Sequence, residues 1–164
     1  MKFPKKKRRS RPVRHRALTS IQQYVKLAEA VVDEEEVPAG YCRCISCGKV
    51  KYWKEMDGGH FISRRERSID TDLRNLHPQC RYCNRYKSGD WPMYRHNLIK
   101  KIGAEQVLAL EYIVAARNGS EEAFNALSES DRLIVINEKT EDQYLEIHRY
   151  YQRESRRLRK ILGD

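Results

Sequence analysis

Four of the five cysteines in this 164-residue chain form two matched pairs, Cys44-Ile45-Ser46-Cys47-Gly48 and Cys80-Arg81-Tyr82-Cys83-Asn84, with 32 residues between them. Tetrahedral zinc accepts four thiolates, and a C-x-x-C turn offers two of them while its backbone amides point back at the sulfurs. The residue after such a turn often takes a positive φ, which Gly48 adopts freely and Asn84 tolerates. Cys44, Cys47, Cys80 and Cys83 are therefore expected to hold a structural Zn²⁺, and Cys42 is left out as a spare buried thiol. Metal binding contributes folding free energy, which accounts for how a stretch so poor in apolar residues folds. A closed all-thiolate site does no chemistry of its own, so chemistry is sought in the residues it pinches together.

Those residues include Asp57-Gly58-Gly59-His60, Arg64, Arg65, Arg67 and Asn75-Leu76-His77, with Asn84 and Lys87 just past the loop. His60, near its pKa at neutral pH, suits a general base that activates water. Asp57, Asn84 and His77 are the donors available to a second, hydrolytic cation, Mg²⁺ or Mn²⁺, which would neutralise a scissile phosphate. Asn75 is expected to hold the other ring nitrogen of His60 through its side-chain amide. Asn84 and Lys87, three apart, would share a helix face. Arg64, Arg65 and Arg67 would grip phosphates. Each residue also has a plain structural reading. His60 suits a turn residue packed on the knuckle, Asn84 one chosen for its φ, His77 before Pro78 one that simply hydrogen-bonds the backbone, and Asn75 a loop cap. The arginines suit a solvated face.

The elements that position these groups follow from charge and periodicity. The net charge is +10 and unevenly distributed. Residues 1–16 carry nine Lys/Arg and no acid, including Lys5, Lys6, Lys7, Arg8 and Arg9; residues 41–101 carry 14 basic and 6 acidic side chains; residues 149–164 carry six and two. Residues 17–40 and 102–148 are net acidic. Such basic blocks commonly bind phosphate backbones, the other reading being a solubilising extension. With 40% hydrophobic residues, 34% charged and a mean hydropathy of −0.84, the chain builds only a thin core. It has no apolar run long enough for a membrane-spanning helix, and its basic start lacks the apolar region of a secretory signal. The expected setting is a reducing cytoplasm with no membrane partner. Residues 1–18 read as a disordered basic arm. A helix capped by Thr19 or Ser20 is predicted to about residue 37, stopped by Val37-Pro38-Ala39-Gly40. Short strands and loops follow, with β-formers at Val50–Trp53 and Phe61-Ile62. Helices are expected again at Tyr94–Lys101, Ala104–Arg117, Glu121–Leu127 and Glu141 to about Ile161, while Leu133–Ile136 is ambiguous.

Taken together, His60, Asn75 and Asn84 resemble, in order, the ββα-metal (HNH-type) nucleases, with Asn in place of the final His. More specifically, the sequence resembles the phage NinG family, also called Rap, of lambdoid recombination endonucleases. The residues that carry the likeness are Cys44-Ile-Ser-Cys47-Gly48, Asp57-Gly-Gly-His60-Phe61, Arg74-Asn75-Leu-His77-Pro-Gln79-Cys80, Cys83-Asn84 and Lys87-Ser88-Gly89, continued by Tyr94-Arg95, Leu98 and Ile102-Gly103. The likeness is good over about residues 20–115. Two departures stand out: the basic tail replaces an extra cysteine cluster found in some relatives, and the acid Asp57 lies three residues before His60 rather than beside it. The resemblance implies an α+β fold with a zinc-stapled ββα-metal core over residues 41–103, flanked by the N-terminal helix and a helical extension over 104–164. It also implies a phage-encoded endonuclease, working in the bacterial cytoplasm, that cuts D-loops and Holliday junctions. A homodimer spanning two DNA arms is the expected assembly. Two alternatives stay open: a non-catalytic zinc-stapled DNA-binding recombination protein, and a sequence-specific HNH nuclease.

Overall fold

The computed structural model describes residues 12–32 and 36–164, so the Lys5–Arg9 cluster lies outside the described residues. Helix α1 spans Val13–Ala30 and starts directly after Pro12, whose fixed φ and missing N–H suit a helix entry. It begins well before Thr19 and ends before Glu36, which corrects both expected boundaries. The hydroxyls predicted to cap it sit in its interior instead. Thr19 Oγ1 donates back to the His15 carbonyl at 2.9 Å, and Ser20 Oγ lies 2.8 Å from His148 Nδ1. Packing sets the helix limits, through a buried stripe of Ala17, Leu18, Ile21, Val25, Leu27 and Ala30.

Two small antiparallel sheets follow. Strands β1 (Tyr41–Arg43) and β2 (Val50–Tyr52) pair in the register Cys42↔Lys51, and the first cysteine knuckle forms the tip between them. Gly48 there takes φ +72°, the left-handed conformation expected of it. Strands β3 (Met56–His60) and β4 (Leu76–Cys80) pair from Met56↔Cys80 to His60↔Leu76. β3 ends at His60, so Phe61 and Ile62 belong to the loop after it rather than to a strand.

The β3 sequence Met-Asp-Gly-Gly-His is a poor strand former, and its glycines mark two close approaches. A Cβ on Gly58 would lie 2.7 Å from the Gln22 backbone of α1, and one on Gly59 would lie 2.8 Å from Gln79 Cβ on β4. The pair lets α1 lie directly against β3. Beyond β4, a single wide helical turn, Tyr82–Tyr86, carries the second knuckle. Then come α2 (Trp91–Ile102), α3 (Ala104–Arg117), α4 (Glu121–Ala126), α5 (Glu129–Ile136) and α6 (Glu141–Leu162). The ambiguous Leu133–Ile136 run is thus helical.

α6 opens with a capping box between Thr140 and Gln143 and closes at Gly163 in the left-handed region. It lies along α1. Ser20 meets His148, Tyr24 packs on Tyr151 with ring centroids 4.7 Å apart, and Leu27 shares a core cluster with Leu158. These contacts advance together along both helices, so the two run in the same direction. One buried cluster, including Leu27, Trp53, Met56 and Leu158, surrounds the cysteines. A second joins Phe61, Ile69, Tyr94, Leu98, Val107, Leu110 and Ile113 beneath α2 and α3. No helix among the described residues is long and apolar enough to cross a membrane.

Candidate functional site

The Sγ atoms of Cys44, Cys47, Cys80 and Cys83 all lie within 4.8 Å of one another. The Cys47–Cys80 separation of 3.8 Å equals the edge of a tetrahedron built on Zn–S bonds of about 2.3 Å. Backbone N–H groups already point at the sulfurs, Cys80 N–H donating to Cys44 Sγ at 3.2 Å and Cys83 N–H to Cys80 Sγ at 3.5 Å. The cluster could therefore hold a structural zinc. Cys42 stays outside it. Its thiol donates to the Lys26 carbonyl at 3.1 Å, and burial, helped by the Glu29 carboxylate, pushes its pKa up to about 12.

A cleft of about 790 Å³ opens along β3, lined by its residues Asp57, Gly58 and His60. His60, Asp57, Asn84 and Arg64 line it, as do Gln22, Gln23 and Lys26 from α1 and Arg85, Ser88, Gly89 and Trp91 from beyond the second knuckle. Pairing of Met56 with Cys80 fixes β3 against the start of the knuckle turn. This brings Asn84 Nδ2 within 2.9 Å of Asp57 Oδ2, which accepts its hydrogen bond. Arg85 forks onto the same carboxylate, donating from Nε to Oδ2 and from Nη2 to Oδ1, both at 2.9 Å. Burial raises the Asp57 pKa, but the hydrogen bonds and charge of Arg85 and Asn84 outweigh it, and the carboxyl titrates below its ordinary value. Asn84 has helical φ and is not among the left-handed residues. The conformational reading of Asn84 is thereby removed, and its side chain accounts for its place.

His60 reaches the cleft from the end of β3. Its Nε2 lies 3.0 Å from the Asp70 carbonyl. A carbonyl only accepts, so in the neutral ring Nε2 carries the proton and Nδ1 keeps the basic lone pair. Burial, reinforced by the charges of Arg64 and Arg14, lowers the His60 pKa against the opposing pull of Asp70. The Asp70 side chain is fully buried. It accepts from Arg14 Nε at 2.7 Å and from Tyr144 Oη at 3.0 Å, with Lys139 Nζ at 3.5 Å. The residue that orients His60 is thus itself fixed to α1, to α6 and to the segment between α5 and α6.

Two expected roles are corrected. Asn75 does not touch His60. Its Oδ1 accepts from Ile62 N–H at 2.7 Å, while Nδ2 donates to the Ile62 and Ile69 carbonyls at 3.0 and 3.1 Å. The amide is used up in closing the loop over residues 61–70, whose last residue, Asp70, presents its carbonyl to His60. His77 is not brought to Asp57 and Asn84. It is buried, with Nδ1 3.7 Å from Glu29 and Nε2 3.3 Å from the Arg74 carbonyl.

Among the basic candidates, Arg64 lines the cleft. Arg65 and Arg67 are exposed on the loop beside it. Lys87 follows the helical turn rather than sharing a face with Asn84, and it pairs with Asp90 at 3.3 Å. The sequence reading missed Arg85, Lys26, Gln22, Trp91 and Asp70. Arg85 stands next to Asn84 and was within reach of a local argument. The α1 residues and Asp70 arrive by long-range packing, which leaves no local signature.

The family model described as "Bacteriophage Lambda NinG protein" matches residues 2–133. The protein is similar to Protein ninG of Escherichia phage 933W, at 33% identity over 106 residues, covering 60% of this chain and 50% of that protein. Protein ninG of Escherichia phage lambda and that of Salmonella phage P22 are each 32% identical over 106 residues, covering 60% of this chain and 49% of their own length. The chain thus spans about half the length of the curated relatives it matches. No solved structure matches it. The match covers both cysteine knuckles, the Asp57–His60 strand and Asn84, and on that extent the chain belongs to the NinG family of bacteriophage proteins.

Proposed function

We propose that this protein is a divalent-metal-dependent endonuclease that hydrolyses phosphodiesters in branched DNA during phage recombination. The observation that carries the reading is the shared cleft. An imidazole with its Nε2 proton fixed on a backbone carbonyl faces the same space as an Asp–Asn pair of hard oxygen donors, ringed by Lys26, Arg64 and Arg85. Strand β3, strand β4 and the helical turn bearing Asn84 follow the order of a ββα-metal core, which supports placing the chain in that nuclease class.

In this reading His60 accepts a proton from water at Nδ1, and the Asp70 carbonyl steadies the imidazolium that results. Asp57 and Asn84 would hold Mg²⁺ or Mn²⁺, both of which take oxygen ligands. When bound, such a cation supplies charge neutralisation at the scissile phosphate and the departing oxygen. Arg85 is exposed and forked on Asp57, and it would bind a phosphate if Asp57 held the cation instead. Lys26 and Arg64 bind neighbouring phosphates. These contacts position without reading bases, so selectivity comes from DNA shape, with two copies of the chain on one junction.

The test is nicking of branched and linear duplex DNA with Mg²⁺ or Mn²⁺, comparing wild type with His60→Ala. General-base loss predicts a rate about 10²- to 10⁴-fold lower with zinc content unchanged. Equal nicking by the variant refutes the role of His60. Fixed-sequence cutting of linear duplex would favour a sequence-specific nuclease. One observation favours a second reading: the bidentate Arg85–Asp57 pair already neutralises the carboxylate, as in a zinc-stapled DNA-binding protein without catalysis. That reading predicts tight DNA binding and no cleavage with any divalent metal.

A further inference from the structure

The chain contains two tryptophans with opposite surroundings. Trp53 is buried in the cluster around the cysteines, whereas Trp91, the first residue of α2, is 50% exposed and lines the cleft beside His60 and Arg64. Trp91 is not loose. Its ring lies nearly parallel to Phe61, with centroids 5.6 Å apart and an interplanar angle of 14°. Phe61 is buried and packs in turn on Tyr94, at 5.7 Å. The sequence thus braces a large apolar ring from behind and leaves the rest of its surface facing a cleft ringed with cations. Covering the exposed part of this ring with another flat apolar face would gain both burial and stacking.

We propose that Trp91 is the seat of an unpaired DNA base, stacked on the indole while Arg64 and Lys26 hold the flanking phosphates. In intact duplex every base already has neighbours on both faces, so this seat stays unfilled unless a base is unstacked. At a fork or junction an unstacked base is at hand. Stacking on an aromatic ring is tolerant of base identity, so the device selects structure without selecting sequence. The inference rests on the nuclease reading only in taking DNA as the ligand, and its test does not depend on cleavage.

In full-length Trp53→Phe protein carrying its zinc, Trp91 is the only indole, and its emission reports directly on stacking. Without Mg²⁺ or Mn²⁺, single-stranded oligothymidylate is expected to quench it, and a relaxed, covalently closed duplex circle at equal nucleotide concentration to quench it far less. Trp91→Ala should weaken single-strand binding about tenfold by anisotropy of a labelled strand, with duplex binding kept within about twofold; Trp91→Phe should recover most of the loss. Zinc content and thermal melting check that each variant is folded. Equal quenching by the closed duplex overturns the proposal. So does unchanged emission while anisotropy reports binding, absence of single-strand binding, or quenching that follows protein concentration without DNA, which would mean a second copy covers the ring. Quenching that persists in a protein unable to nick DNA would count against the nuclease reading alone. Nicking of branched DNA without any quenching would count against the seat alone.

Discussion

His60 shows how far side-chain chemistry can be read from sequence. Its type and its place after Asp57-Gly-Gly marked it as a candidate, and the structure puts it on the lining of the cleft. Its orienting partner was not legible, because the Asp70 carbonyl belongs to the backbone and no residue type announces it. Asn75 looked like the natural partner and instead spends both ends of its amide on Ile62 and Ile69. Asn84 was legible and remains on the site, beside Asp57. A pH prediction follows for His60. Burial first, then nearby arginines, hold its pKa below the ordinary imidazole value of 6.5. The neutral, base-competent ring therefore predominates at that pH, so initial nicking rates under single-turnover conditions should reach half of their plateau only below pH 6.5. The unfolded chain takes up this proton first, so the stability contributed by the neutral ring is lost as pH falls from about 6.5 toward the lower folded value. A rate already halved at or above pH 6.5 would contradict the assignment.

Among elements, the two knuckles were the most legible, because ligand spacing is a local property. Helices α3 and α6 followed their apolar periods closely. Strand β3 was not legible, since Gly58 and Gly59 weaken any strand signal and earn their place only through the helix and the glutamine that press on them. Gly58→Ala puts a methyl group 2.7 Å from the backbone of Gln22, and a helix backbone cannot swing aside as a side chain can. A loss of about 1–3 kcal/mol is expected in urea denaturation, together with weaker DNA binding as α1 moves off the cleft. An unchanged midpoint would show that α1 does not rest on β3. For the metal staple, structural zinc contributes on the order of 10 kcal/mol in small domains. Cys80→Ala should therefore lose zinc and the cooperative unfolding transition together. A folded, zinc-loaded Cys80→Ala protein would refute the four-thiolate centre.

Across the whole molecule, charge was legible as blocks but its geometry was not. The positive middle segment places Arg64 and Arg85 on the cleft, while the net acidic segment 17–40 contributes Lys26, the one basic side chain it has. If Lys26, Arg64, Arg65 and Arg85 each cover one phosphate, a fourfold rise in salt weakens DNA binding about a hundredfold. Binding measured by anisotropy across a salt series checks this, and a flat series would remove the phosphate role from all four. The side-by-side course of α1 and α6 has a consequence for how the protein comes to life on the ribosome. The cleft wall contributed by α1 is synthesised before its seat against Tyr151 and Leu158, and before the Tyr144 hydroxyl that fixes Asp70 behind His60. A nascent chain still short of α6 holds the cysteines and the imidazole without a finished groove, so the cleft is completed only once α6 has emerged and docked on α1.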